Sequence, residues 1–124
     1  MAIKDALRVA LPVPLRRTFD YKLPSSAAGV VPGCRVQVPL RKRSVVGVVC
    51  AAHVRTDLSA RKLKTVSRVL DQEAVFPEPL FRLLLWAAEY YQHPVGEILH
   101  VALPVVLRRG GSLQPARSAI GRSL

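Results

Sequence analysis

Residues 16–21 read RRTFDY: two arginines lead into an aspartate held between two aromatic rings, Phe19 and Tyr21. Farther along, PLRKRS at 39–44 ends a strand-like run in three consecutive cations, Arg41, Lys42 and Arg43. Cations interleaved with rings suit single-stranded nucleic acid, where charges follow the backbone and rings take the bases. Arg16, Arg17, Arg41, Lys42 and Arg43 are the candidate phosphate contacts. Two plainer readings stand beside this one. RKR could be a solvated hairpin tip, and period-two alternation sends Phe19 and Tyr21 to one face of a strand, where both could be core. Asp20 is the sharper signal. An ionised carboxylate only accepts hydrogen bonds, so it would repel phosphates and meet base N–H groups or sugar hydroxyls. At the end of a strand, where a hydroxyl is free and no phosphate follows, it becomes an asset. The alternative is a solvent-facing residue on an edge strand, paired with Arg17 or Lys22.

The whole composition agrees with a polyanionic partner. The chain has 124 residues, a formal charge of +11 and 50% apolar residues, which fits one folded domain with a modest core. Nucleic acid is the commoner partner for such charge, an anionic membrane the rarer one. The charge is uneven. Nine basic residues and one acid, Asp57, lie between Arg35 and Arg68, whereas Asp71 to Glu97 holds five acids against Arg82 alone.

Catalysis finds little support. Neither GxxxxGK[ST] nor GxGxxG occurs, and the acids are isolated, against a paired-carboxylate mechanism. His53, His93 and His100 are scattered without metal-ligand spacing and take structural readings. Cys34 and Cys50 sit in apolar runs and read as small buried hydrophobes. The chain is expected to be no enzyme, with no cofactor and no metal. No stretch has the form of a signal peptide, and the longest apolar run, LLLWAA at 83–88, is too short to span a bilayer. The expected location is cytoplasmic, without a membrane partner.

The elements that must position these residues fall into two parts. ALRVAL (6–11), FDYKL (19–23), CRVQVPL (34–40), SVVGVVCAAHV (44–54) and KTVSRVL (64–70) read as five strands. Pro39 must end its strand or lie on an edge. Gly47 suggests a bulge or a close backbone approach. The expected architecture is α+β: a small antiparallel barrel or curled sheet over about 1–72, then a helical part over about 76–104. In that part EPLFRLLLWAAEYYQ (78–92) reads as a long helix, apolar almost all round and packed on both sides, with Trp86 in the core. VGEILHVAL (95–103) reads as a shorter helix stopped before Pro104. Residues 110–124, rich in Gly, Ser, Pro and Arg, read as a linker. VALPVPLRR (9–17) is echoed by VALPVVLRR (101–109), but the flanks differ, so this is local convergence and not a duplicated domain.

ALPVPLRRTFDY (10–21), GCRVQVPLRKRSVVGVV (33–49), LKTVSRVLD (63–71), LLLWAAEYYQHPVGEIL (83–99) and ALPVVLRRG (102–110) together resemble the N-terminal DNA-binding domain of the PriA replication-restart helicases. The resemblance covers nearly the whole chain up to Gly110 and implies a domain over 1–109. It implies binding of the 3′ end of the nascent leading strand at a stalled fork, in a shallow pocket and without base preference. Carried over by motif, Phe19, Asp20 and Tyr21 form that pocket, with Lys64 a further contact. DNA, the remaining helicase domains and primosome proteins are the implied partners. One departure stands out: the family commonly has Phe-Gly where this chain has Leu40-Arg41, so Arg41 would replace a backbone contact with a side chain. The family's ATP-dependent motor motifs are absent from these residues. A rival reading is a protein-docking module, using the acidic helical half with Trp86, Tyr90 and Tyr91.

Overall fold

The computed structural model describes residues 3–24, 29–56 and 62–110. Five strands form one sheet: β1 (Ile3–Ala10), β2 (Phe19–Lys22), β3 (Arg35–Leu40), β4 (Arg43–Thr56) and β5 (Arg68–Val69). Their order is β2-β1-β4-β3-β5, and every ladder is antiparallel. Two helices follow, α1 (Glu78–Tyr91) and α2 (Val95–Gly110). The α+β class and the order of elements agree with the expectation.

The ladders do not close into a barrel, but the sheet curls. Between Ala6↔Val54 and Arg8↔Ala51, and again between Arg8↔Ala51 and Val9↔Val49, β4 carries one residue more than β1. Extra residues of this kind bend and twist a strand, and His53 takes a left-handed φ of 55° within the first of these stretches. Gly47 itself sits in regular pairing with Val36. Its glycine serves the close approach instead: a Cβ there would lie 2.5 Å from Val9 Cγ1 and 2.8 Å from Leu11 Cδ2. The curl brings the two ends of the sheet together. Lys22 N–H donates to Lys64 O (2.8 Å) and Val66 N–H to Lys22 O (3.0 Å), while Ser67 N–H donates to Gln37 O (2.8 Å). Residues 64–67 thus stitch β2 to β3. The expected fifth strand over 64–70 is for this reason divided: one parallel bridge, Lys22↔Thr65, then a two-residue β5.

Alternation along the central strands feeds two cores. Leu7, Val9, Leu11, Tyr21, Val36, Val38 and Val49 fill the inside of the curl. Ala10 and Val48, their neighbours in sequence, point the other way against Phe76, Phe81, Leu99, Leu103 and Val106. β1 and β4 are therefore buried on both faces, which is why the valine run of β4 shows little polar alternation. Pro39 pairs with Ser44 but lies beyond the two-residue reach of β5, so no neighbour needs its missing N–H. Arg35 is held by Asp71 through Nε–Oδ2 and Nη2–Oδ1 bonds of 2.9 Å each, and its own backbone N–H reaches Oδ2 at 2.9 Å. Asp71 raises the guanidinium pKa above its ordinary value, so this cation is committed to the fold.

Two helical expectations are overturned. α1 is not packed on both sides: Phe81 and Ala88 are buried, while Leu83, Trp86 (56% exposed) and Tyr90 (64% exposed) face outward. Trp86 is a surface residue because α2 covers only one flank of α1. α2 also does not stop before Pro104 but runs through it to Gly110. A proline removes one N–H bond and strains the turn before it, yet Leu99, Leu103 and Val106 form a buried stripe that continues past it. Pro104 itself lies on the exposed side. The linker expected over 110–124 falls, beyond Gly110, outside the described residues. The start of α2 is pinned by Gly96, whose Cβ position is occupied by the Leu11 carbonyl. His100 ties the same helix to the sheet, one ring nitrogen 2.9 Å from Gly96 O and the other 3.0 Å from Val46 O. The structural reading of His100 fits these contacts.

Candidate nucleic-acid interface

A small open pocket of about 270 Å³ lies where the curl brings β2 beside the end of β3. Phe19, Asp20 and Tyr21 come from β2, Pro39 and Leu40 from β3, Arg41 from the hairpin, and Lys62 and Lys64 from the stitching segment. Arg17 closes the rim. Four cations thus surround one carboxylate. All four residues singled out for the terminal pocket line this one cavity, as do Arg17 and Arg41. Lys42 and Arg43 do not; they are exposed at the tip and far side of the β3–β4 hairpin. Arg16 is exposed and lines a second cleft.

Each side chain has a definite state. Tyr21 is only 4% exposed, and its hydroxyl donates to Pro39 O at 2.9 Å, fastening β2 to β3. Burial pushes its phenol pKa upward, so the hydroxyl remains a donor. Tyr21 is therefore pocket wall and core at once, not a free stacking surface. Phe19 packs partly into the same core, with the Arg17 guanidinium 4.5 Å from its ring centroid. That distance is within cation–π range.

Asp20 points away from both rings' core. β1 pairs Arg8 opposite Asp20, and Arg8 Nε lies 3.4 Å from Asp20 Oδ1. The partner is neither Arg17 nor Lys22, because cross-strand register and not sequence proximity decides which cation faces it. The Asp20 side chain is 18% exposed, and among the described residues no donor meets Oδ2. One oxygen is held and one is available. Such a carboxylate can accept a bond from a hydroxyl or a base N–H while its charge is offset by Arg8.

The hairpin clarifies Leu40-Arg41. Leu40 pairs with Arg43, leaving a two-residue turn in which Arg41 adopts φ 58°. Glycine takes that conformation freely, whereas a side chain costs about 1–2 kcal/mol. A glycine here would relieve that cost. Sequence reasoning missed Lys62, Pro39 and Leu40. Lys62 was within reach of it: buried Leu63 sits between exposed Lys62 and Lys64, so alternation turns both lysines outward together.

Neither thiol enters the pocket. Cys34 is fully buried, and burial drives the Cys50 pKa to about 12. Among the described residues no three or more His, Cys, Asp or Glu gather as a metal site, and no helix is long and apolar enough to cross a membrane.

Comparison with known families matches residues 8–104 to the model of the PriA 3′DNA-binding domain. The replication restart protein PriA of Haemophilus influenzae is 41% identical over 106 residues, covering 86% of this chain and 14% of that protein. PriA of Buchnera aphidicola from Schizaphis graminum is 32% identical over 103 residues, covering 83% and 14%. PriA of Bacillus subtilis is 34% identical over 93 residues, covering 74% and 12%. The chain spans only about one-seventh of the length of these relatives. On the family match and these identities, it belongs to the PriA 3′-DNA-binding domain family.

Proposed function

We propose that this chain grips the 3′ end of single-stranded DNA, that of the nascent leading strand at a stalled fork, and does so without base preference. The carrying observation is Asp20: one oxygen is held by Arg8, the other meets no donor among the described residues, and the residue lines a pocket with Arg17, Arg41, Lys62 and Lys64. A terminal 3′-hydroxyl donates to Oδ2 while the cations attract the phosphate behind it. Every base offers an N–H donor or an acceptor at its edge and a face for Phe19, so tolerance of sequence follows. The work done is binding, not catalysis, and needs no cofactor. ATP-driven unwinding belongs to other parts of the longer family proteins, and the setting is the cytoplasmic replication-restart primosome.

Fluorescence anisotropy with short strands ending in a 3′-hydroxyl or a 3′-phosphate tests this. Placing a second anion against Asp20 is expected to weaken binding about tenfold, or about 1.4 kcal/mol. Both affinities should fall steeply with salt. Equal binding of the two ends would reduce the pocket to a general phosphate site.

A second reading, protein docking, has one observation in its favour. On α1, Trp86 and Tyr90 stack with centroids 4.9 Å apart, Tyr91 meets Tyr90 edge-on at 4.9 Å, and Leu83 extends the face. Exposed aromatic faces of this kind mark interaction sites. The partners in this reading are the remaining domains of a longer PriA chain or other primosome proteins.

A further inference from the structure

A second cleft, about 450 Å³, lies between the segment entering β2 and the helices. Arg16, Arg17 and Thr18 form one wall. Leu85, Ala88 and Val95 give an apolar floor, joined by Cys50 of β4. Glu89 of α1 and His93, in the turn between the helices, complete the lining, and His93 Nε2 lies 3.5 Å from Glu97 Oε1 in the first turn of α2. The volume lies within the range of small-molecule sites. One residue belongs to both cavities: Arg17 lines this cleft and the Asp20 pocket. The hairpin cations Lys42 and Arg43 line neither.

We propose that this cleft receives the penultimate nucleotide of the strand whose 3′ end occupies the Asp20 pocket; the inference rests on that reading of the pocket. The phosphodiester joining the two nucleotides crosses at Arg17, the shared cation, and the next phosphate meets Arg16. The penultimate base lies on Leu85, Ala88 and Val95, and its edge faces Glu89, which only accepts hydrogen bonds. Each of the four bases presents at least one N–H on its pairing edge, so this carboxylate imposes no strict choice among them. The strand then leaves the terminal pocket toward the helices and not over the RKR hairpin. The acidic residue in this cleft meets a base, as Asp20 in the other cavity meets the terminal hydroxyl, and neither faces the phosphate track.

Nuclear magnetic resonance titration of the 124-residue chain tests the path. The probes are thymidine 5′-monophosphate, a thymidine dinucleotide and a trinucleotide, each ending in a 3′-hydroxyl. The mononucleotide is expected to shift amides lining the Asp20 pocket, on β2, Leu40, Arg41, Lys62 and Lys64, and none on the helices. The dinucleotide should add shifts at Leu85, Ala88, Glu89 and Val95 and gain about tenfold in affinity, a typical contribution for one more bound base and phosphate. Ala88→Met, which fills the floor, should abolish that gain and leave mononucleotide affinity unchanged. Since this substitution enters a buried helix position, the shift map on the unaltered chain decides independently. Extra dinucleotide shifts at Lys42 and Arg43, with none on the helices, would overturn the path while leaving the terminal pocket intact. A mononucleotide that moves nothing near Asp20 would remove the underlying reading and this one with it.

Discussion

Two nine-residue stretches of this chain, VALPVPLRR at 9–17 and VALPVVLRR at 101–109, differ at one position, Pro14 against Val106. They have different structures. The first ends β1 and then runs without regular structure into Arg16 and Arg17; the second lies wholly within α2. Two prolines two residues apart exclude helix, because each removes an N–H and each biases its preceding residue to extended backbone. A single proline can be carried when packing supplies the rest. In α2 that packing is Leu99, Leu103 and Val106 against Val48 and Phe81; in β1 Val9 and Leu11 instead fill the curl of the sheet. The second proline denies the first copy a helix, and tertiary packing lets the second copy carry its single proline. The functional consequence is that the first copy, free of the helix, delivers Arg16 and Arg17 to the clefts.

The most severe way to break this comparison is Val106→Pro, which gives α2 the same two-proline spacing as the first copy. It removes a buried side chain and a second helical bond, and a loss of about 3 kcal/mol or more is expected in denaturant unfolding. An unchanged midpoint would mean that the end of α2 contributes nothing to the core. Arg41→Gly sharpens the view of the strand side, because its two effects have opposite signs. Relief of the positive φ should stabilise the fold by about 1 kcal/mol, while loss of one phosphate contact should weaken DNA binding and lower the salt slope by about one. If stability and affinity fell together, Arg41 would be a structural residue and not a pocket cation.

The smallest effect is expected on the helical side. Trp86→Ala should change stability by less than about 1 kcal/mol, because the ring is mostly in solvent. DNA affinity should stay the same, since Trp86 lines neither cleft. Loss of DNA binding in this variant would move the interface onto α1.

These contrasts also mark what could be read from residues alone. Strand faces were legible: alternation in FDYK and RVQV correctly sent Tyr21, Val36 and Val38 inward. The gathering of Phe19, Asp20, Tyr21 and Lys64 around one pocket followed from the family resemblance, whose motif carried Lys64 across more than forty intervening residues. The partner of Asp20 was not legible, since Arg8 meets it through the β1–β2 register and that depends on how the proline-rich turn between them is spanned. The free face of α1 was hidden for a different reason. A helix apolar on nearly every side does not say which side its neighbour will cover, so Trp86 was assigned to the core and proved exposed. The second cleft combines residues from a loop, β4 and both helices, and no local pattern records such a meeting.

The central claim is that Asp20 distinguishes a DNA terminus from a phosphate track. A four-way comparison tests it most directly: the unaltered chain and Asp20→Ala, each with strands ending in a 3′-hydroxyl or a 3′-phosphate, at one fixed salt concentration. The account predicts an approximately tenfold hydroxyl preference in the unaltered chain, falling below about twofold in the variant as the carboxylate's interaction is lost. A preference that persists undiminished in Asp20→Ala would contradict the account and leave Asp20 as no more than the cross-strand partner of Arg8.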